Sequence, residues 1–197
     1  MLAADSPAQT DGRRRRSQQS RDRIIAAMMA LIEEGQITPI AEQVADRAHV
    51  GLRSVFRHFN DMDSLFTEMA LRLARQYQPA LAPFLSSDWR SQLTESIDRR
   101  VAIYETMLPY KRAADAHRHR SPVLQSSYAA TSQLMRARLH SMLPPALKGD
   151  QIALETLDLV LSIDSWQRLR LEQKLPVAAA RTVVERQVHT LVTSEAA

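Results

Sequence analysis

The chain has 197 residues, 45% apolar and 24% charged, with a formal net charge of +4 and a pI near 9.8. That is enough chain to bury a core without staples, and the absence of cysteine excludes disulfides and thiolate metal sites. No apolar run is long enough to cross a bilayer, and MLAADSPAQTDGRRRR lacks the apolar stretch of a secretory signal, so a cytoplasmic protein away from membranes is expected.

The positive charge is unevenly placed. Residues 13–60 carry nine arginines, no lysine and five acidic residues. Such an arginine excess suits an anionic polymer, and it also suits a merely solvated tail. The only glycines are Gly12, Gly35, Gly51 and Gly149, too far apart to cradle a phosphate, so Walker and dinucleotide signatures are absent. GxSxG and HExxH are absent too. No enzyme and no cofactor is expected. Few runs alternate with the period of a strand, and prolines and glycines punctuate stretches of helical period, which predicts an all-α chain.

In chain order, residues 1–19 form a polar, basic arm expected to be disordered through residue 16. Ser20 is read as the cap of a first helix over about 20–34. Ile24, Ala27, Met28, Leu31 and Ile32 make its apolar stripe, and Gly35 stops it. Thr38-Pro39 opens a second helix over about 39–47, Thr38 as cap and Pro39 in the first turn. After a break at Ala48-His49-Val50-Gly51, a third helix runs from Leu52 to just before Asn60. Two short helices around a tight turn are the helix-turn-helix plan, whose second helix enters the major groove of DNA. Val44, Ala45, Ala48, Val50, Val55 and Phe59 are the inward set. Arg53, Ser54, Phe56, Arg57 and His58 face outward, and Thr38, Gly51, Leu52 and the tail arginines Arg13, Arg14, Arg15 and Arg16 are grouped with them as DNA-binding candidates. Each has a plainer reading. Phe56 fits a core, His58 fits a bond to a backbone carbonyl, and Arg57 fits a surface pair with Asp61 or Asp63. Asp61 caps a fourth helix carrying Leu65, Phe66, Met69, Leu73 and Tyr77, ended by Pro79 and Pro83.

Four pieces, Arg21–Ala27, Val44–Ala48, Val55–Phe59 and Asp61–Phe66, taken in order and spacing, resemble the DNA-binding domain of TetR-family transcriptional regulators. The resemblance implies that Phe56 packs on the sugar-phosphate backbone, His58 donates to a phosphate, Phe59 fastens the third helix to the fourth, and Arg53 and Ser54 read bases. The chain departs from the family at His49, where glycine is usual, at Gly51, where Ser or Thr is usual, and at Met62, where lysine is common. A family-like turn implies positive φ at His49, which costs a non-glycine residue roughly 1 kcal/mol.

Residues 79–197 read as a second helical domain, beside a DNA-binding domain at 20–78. Asp88 caps a long helix through Leu93, Ile97, Val101, Tyr104 and Leu108, ended or kinked by Pro109. Ser121-Pro122 opens the next, with Leu124, Tyr128, Leu134, Met135, Leu139 and Leu143 apolar, and Pro144-Pro145 stops it. Asp150 opens a long penultimate helix reaching Leu169, and Pro176 opens the last. His117 and His119, two apart among arginines, are poorly placed for a metal. Tyr104, Met107, Tyr128, Met135 and Trp166 suit either a plain core or the lining of a small-molecule cavity between helices. The last two helices, joined at Lys174-Leu175-Pro176, suit either an intrachain core or the four-helix bundle of a homodimer, as in TetR-family proteins. The expected function is a repressor that binds a palindromic operator in double-stranded DNA as a homodimer and is released by an unknown small-molecule effector. The rival is a helical ligand-binding or scaffold protein with a degenerate DNA-binding head.

Overall fold

The computed structural model describes residues 7–194, with the side chains of 7–11, 13 and 194 left aside. Every regular element among the described residues is helical. The helices are α1 (Pro7–Glu33), α2 (Ala41–Arg47), α3 (Leu52–His58), α4 (Met62–Ala74), α5 (Gln78–Leu81), α6 (Trp89–Arg118), α7 (Pro122–Met142), α8 (Pro145–Gly149), α9 (Gln151–Val160), α10 (Ile163–Gln167) and α11 (Val177–Ser194). A 3-10 turn at Arg75–Tyr77 precedes α5, and a π turn at Arg168–Glu172 follows α10. No described helix is long and apolar enough to cross a membrane.

The chain divides into two compact units, residues 1–72 with 109–125, and residues 73–108 with 126–197. The expected single cut after residue 78 misses this. Residues 109–125 group with the N-terminal unit because Tyr110 and Ala113 are buried there. The Tyr110 hydroxyl donates to Glu33, and the His117 ring lies 4.4 Å from that of Phe66.

In the first unit the arm is not disordered from residue 7 onward. α1 begins at Pro7, a residue suited to a first helical turn, and runs through arginines and glutamines that favour helix. Ser20 therefore caps nothing; it is a buried residue in mid-helix. The stripe of Ile24, Ala27, Met28, Leu31 and Ile32 is buried as expected. α1 and α2 end in the same way. Gln36 N–H donates to the Leu31 carbonyl and Gly35 N–H to Ile32, both at 3.0 Å; Val50 N–H donates to Ala45 at 3.0 Å and His49 N–H to Asp46 at 3.1 Å. These are paired Schellman closures, with Gly35 at φ +99° and His49 at φ +52°.

Thr38 is not a cap. It lies exposed before α2, whose N-cap is Ile40, and the Ile40 N–H donates to Gln43 Oε1 at 3.0 Å. Gly51 is the N-cap of α3. Asp61 caps α4 through Oδ1, which accepts from the Ser64 N–H at 2.7 Å.

In the second unit, Asp88 Oδ1 accepts from Ser91 N–H at 2.9 Å at the start of α6, and Asp150 Oδ1 from Ala153 N–H at 2.9 Å at the start of α9. Pro109 does not end α6, which continues to Arg118, and the expected long penultimate helix is broken. Ser162 breaks it: its hydroxyl accepts from the Ser165 N–H at 3.1 Å and starts α10 afresh. Leu134, expected to be apolar core, is exposed, as are Val177 and Val183 of α11.

Candidate functional site

α2 and α3 pack on one another and on α1 through Val44, Ala45, Ala48, Val55 and Phe59, all close to fully buried. Seven-residue helices cannot hold themselves, so this apolar inner face fixes the direction of everything on the outer one. Outward lie Leu52, Arg53, Phe56 and Arg57, exposed, with Ser54 and His58 half-buried. Phe56 is 46% exposed against 2% for Phe59, so Phe56 is no core residue. Among the described residues, Arg57 makes no ion pair with Asp61 or Asp63. The surface-pair reading fails because both carboxylates serve the start of α4: the Asp61 side chain caps it, and Asp63 lies in its first turn.

An open cleft of about 620 Å³ runs beside this face. Arg16, Ser17, Ser20 and Arg23 of α1 line one side; Val50, Gly51, Ser54 and Arg57 line the other. Two guanidinium groups and two hydroxyls of α1 thus lie across the cleft from Gly51, Ser54 and Arg57, a lining whose positive charge suits an anion. Arg14, Arg15 and Arg16 are exposed on the same helix; Arg13's side chain lies outside the described residues. Arg16, Ser20 and Arg23 recur at i, i+4 and i+7, a legible helical spacing. A helix begun at Ser20 leaves Arg16 outside that spacing.

Arg21 is the other residue that the sequence did not single out for a role. Its Nη1 donates to the His58 carbonyl at 2.9 Å, its Nη2 meets Glu68 at 2.7 Å, and its guanidinium lies 4.5 Å from the Phe59 ring centroid. One side chain thus ties α1 to the last carbonyl of α3 and to α4. His58 Nε2 is buried and makes no hydrogen bond among the described residues, so its bond to a backbone carbonyl is not formed by that nitrogen. Burial first, and then the charges of Arg57 and Arg21, hold the imidazole below its ordinary value of 6.5. It is neutral at pH 7.

The second unit holds a different cluster. Arg100 is 3% exposed. Its Nη1 donates to Tyr104 Oη at 3.1 Å and to the Leu161 carbonyl at 2.9 Å, its Nη2 to the Met135 carbonyl at 2.8 Å, and its Nε weakly to Ser96 Oγ at 3.4 Å. Tyr104 Oη also donates to Leu161 at 2.9 Å, and Trp166 lines the same small space. Trp166 Nε1 donates to Glu105 at 2.8 Å, and Tyr128 donates to Asp164. Tyr104, Met135 and Trp166 therefore meet around Arg100; Met107 is buried without joining them. Arg100 was missed although it stands three after Ile97 and four before Tyr104, in the inward register of the stripe. Among the described residues no group of histidines and carboxylates is placed to hold a metal.

No family model and no curated protein matches the chain. Solved structures do. A transcriptional regulator from Rhodococcus sp. Rha1 superposes with a TM-score of 0.70 at 17% identity, over 88% of this chain and 96% of that one. A candidate TetR-family transcriptional regulator from Mesorhizobium loti MAFF303099 superposes with a TM-score of 0.63 at 21% identity, over 91% and 98%. The fold is TetR-like. At such identities the likeness concerns the backbone, and within the TetR-like fold the chemistry rests on this chain's own residues.

Proposed function

We propose that the chain is a DNA-binding transcriptional regulator, a cytoplasmic repressor that binds a palindromic operator as a homodimer and is released by a small-molecule effector. The observation that carries it is the cleft, where three arginines, three hydroxyls and the start of α3 converge beside the exposed Arg53 and Phe56. In this reading α3 lies in the major groove, with Arg53 and Ser54 at base edges, and the cleft seats the phosphate backbone alongside. Leu52 and Phe56 add apolar contact to the sugar-phosphate edge. Thr38 and the Arg13–Arg16 stretch extend the contact.

The dimer reading draws on Ile152 and Leu159, one face of α9, at 80% and 65% exposure, with Val177 and Val183 exposed on α11. Bare apolar side chains in such number suit a second copy. Two recognition helices on one face of a duplex need half-sites about one helical turn (~34 Å) or more apart. With roughly four phosphate contacts per subunit, log K should fall against log salt with a slope near ~−7. Two of the three departures that favoured a degenerate head fit this reading: His49 takes a left-handed conformation and Gly51 caps α3, while Met62 leaves the start of α4 without a lysine.

Selection of bound duplexes from a random pool tests the proposal. An enriched inverted repeat is the expected result. A pool that stays random over repeated rounds, or an asymmetric site bound by a single chain, would refute it.

A further inference from the structure

Buried charges in proteins are paired, because an isolated ion loses its hydration without replacement. Arg100 is an exception in the second unit. All four of its bonding partners are neutral: two hydroxyls and two carbonyls. The carboxylates nearest the cluster are occupied elsewhere. Asp158 meets Arg136 at 3.1 Å, and Asp164 takes the Tyr128 hydroxyl. The partial negative charge at the end of α9, where Leu161 is the C-cap, is the strongest compensation around it.

Nor are Arg100's acceptors in need of it. Leu161's carbonyl already has the Tyr104 hydroxyl, and Met135 lies inside α7, where its carbonyl accepts the helical amide four residues on. A guanidinium carries five N–H groups, and these bonds use four, one of them long. The surroundings are phenolic as well. Tyr77, on the 3-10 turn before α5, is raised well above the ordinary phenol value by burial and by its neighbours Tyr104 and Tyr128, against the pull of Arg100.

We infer that Arg100 is the recognition group of the effector site, and that the effector is a small organic carboxylate seated against Arg100 and the phenol of Tyr104. This rests on the regulator reading only in calling the ligand an effector. A carboxylate matches one guanidinium in charge and in fork geometry, whereas a dianionic phosphate would exceed it beside Asp164. The space bounded by Arg100, Tyr104, Leu161 and Trp166 is only about 10 Å³. The anion must therefore take Arg100 Nη1 away from Leu161. That carbonyl sits at the break between α9 and α10, so the exchange frees a joint already interrupted in the helix.

The test uses the full chain and a panel of monocarboxylates, acetate, hexanoate and benzoate, each beside its neutral amide at about 10 mM. Thermal unfolding is one readout and Trp166 emission in a Trp89→Phe background the other. A millimolar binder at that concentration should raise Tm by about 2 °C or more. The expected result is a rise and an emission change with at least one acid and not with its amide, lost in Arg100→Met and partly kept in Arg100→Lys. Arg100→Met should itself unfold within about 2 °C of the parent, since its acceptors keep other donors. Equal effects of acid and amide, no effect of any acid, a response surviving in Arg100→Met, or a fall of more than about 6 °C in that variant would each overturn the assignment. A chain that responds to the acid yet binds no duplex would sink the regulator reading and leave the anion site standing.

Discussion

The head cleft and the Arg100 cluster set the same residue in opposite surroundings. Arg16, Arg23 and Arg57 line an open cleft, their charges hydrated; Arg100 is sealed among phenols and carbonyls. An exposed arginine contributes almost nothing to folding, so its placement in a cluster answers to something outside the chain. A buried one is expensive unless paired, so its neutral surroundings raise the question of what completes it. Charge becomes informative when it is weighed against solvent.

The largest effect that would break this contrast concerns the cleft. Replacing Arg16, Arg23 and Arg57 together by alanine should weaken binding to operator and random duplex alike, by about a hundredfold or more. The salt slope should become shallower by roughly two for each arginine of a dimer. Titration by fluorescence anisotropy at several salt concentrations measures both. Unchanged slopes would show that the cleft is not where phosphate lies. Arg53→Ala should behave otherwise, costing about 1–3 kcal/mol per subunit on the operator and little on random DNA. Equal losses on both would remove Arg53 as a base reader.

Next in size is Gly35→Ala. A Cβ at Gly35 meets nothing within 4 Å, so space is not the issue; φ of +99° is. Strain in the left-handed region should destabilise the chain by about 1 kcal/mol, read as a lower urea midpoint at unchanged slope.

Acid should act on the head through its histidines. His58 is held below 6.5 by burial and by Arg57 and Arg21; His117 is held below it by burial, with Asp63 pulling the other way and Arg120 and His119 adding to the depression. When the folded value is lower than the unfolded one, the unfolded chain binds more protons. Stability is then full above about 6.5 and declines as pH falls from there through the folded values. Urea unfolding at successive pH values should show that decline, reduced in His58→Asn. A decline equally steep in that variant would place its origin elsewhere.

Much of this was readable in the sequence because local rules and tertiary needs agreed. Asp61, Asp88 and Asp150 cap the helices they precede, and Val44, Ala45, Val55 and Phe59 turn inward at the spacing a helix requires. The failures share a cause, which is that the local signal was real but outweighed. Thr38-Pro39 has the chemistry of a helix start, yet α2 waits for Ile40, whose amide finds Gln43. Ser20 has the chemistry of a cap, yet helix-favouring residues before it carry α1 back to Pro7. The Arg16, Ser20, Arg23 face exists only in that longer helix. Pro109 should end a helix, yet Leu108 and Tyr110 on either side of it are buried and α6 runs on. Arg100 stands in the register of an apolar stripe, and the partners that keep it there, Leu161 and Met135, lie 61 and 35 residues away, beyond what local spacing shows.

The smallest predicted effects sharpen the contrast at the turn itself. α1 and α2 close with the same motif, one with Gly35 and one with His49 at positive φ. His49→Gly removes strain of roughly 1 kcal/mol and adds unfolded-state entropy of about 0.5–1 kcal/mol, so stability should change by only a few tenths of a kcal/mol. Gly51→Ser should help by a similar few tenths, since a serine Cβ there meets nothing within 4 Å and its hydroxyl can cap α3. The serine should have a second consequence that the glycine lacks. Gly51 lines the cleft, so its hydroxyl would stand beside Arg57 and Ser54 where a phosphate is expected. Duplex affinity should then rise by more than the gain in stability explains, with operator and random DNA improving together. An affinity that follows stability alone would mean that the start of α3 does not meet the backbone, and that the arginines across the cleft hold the duplex without it.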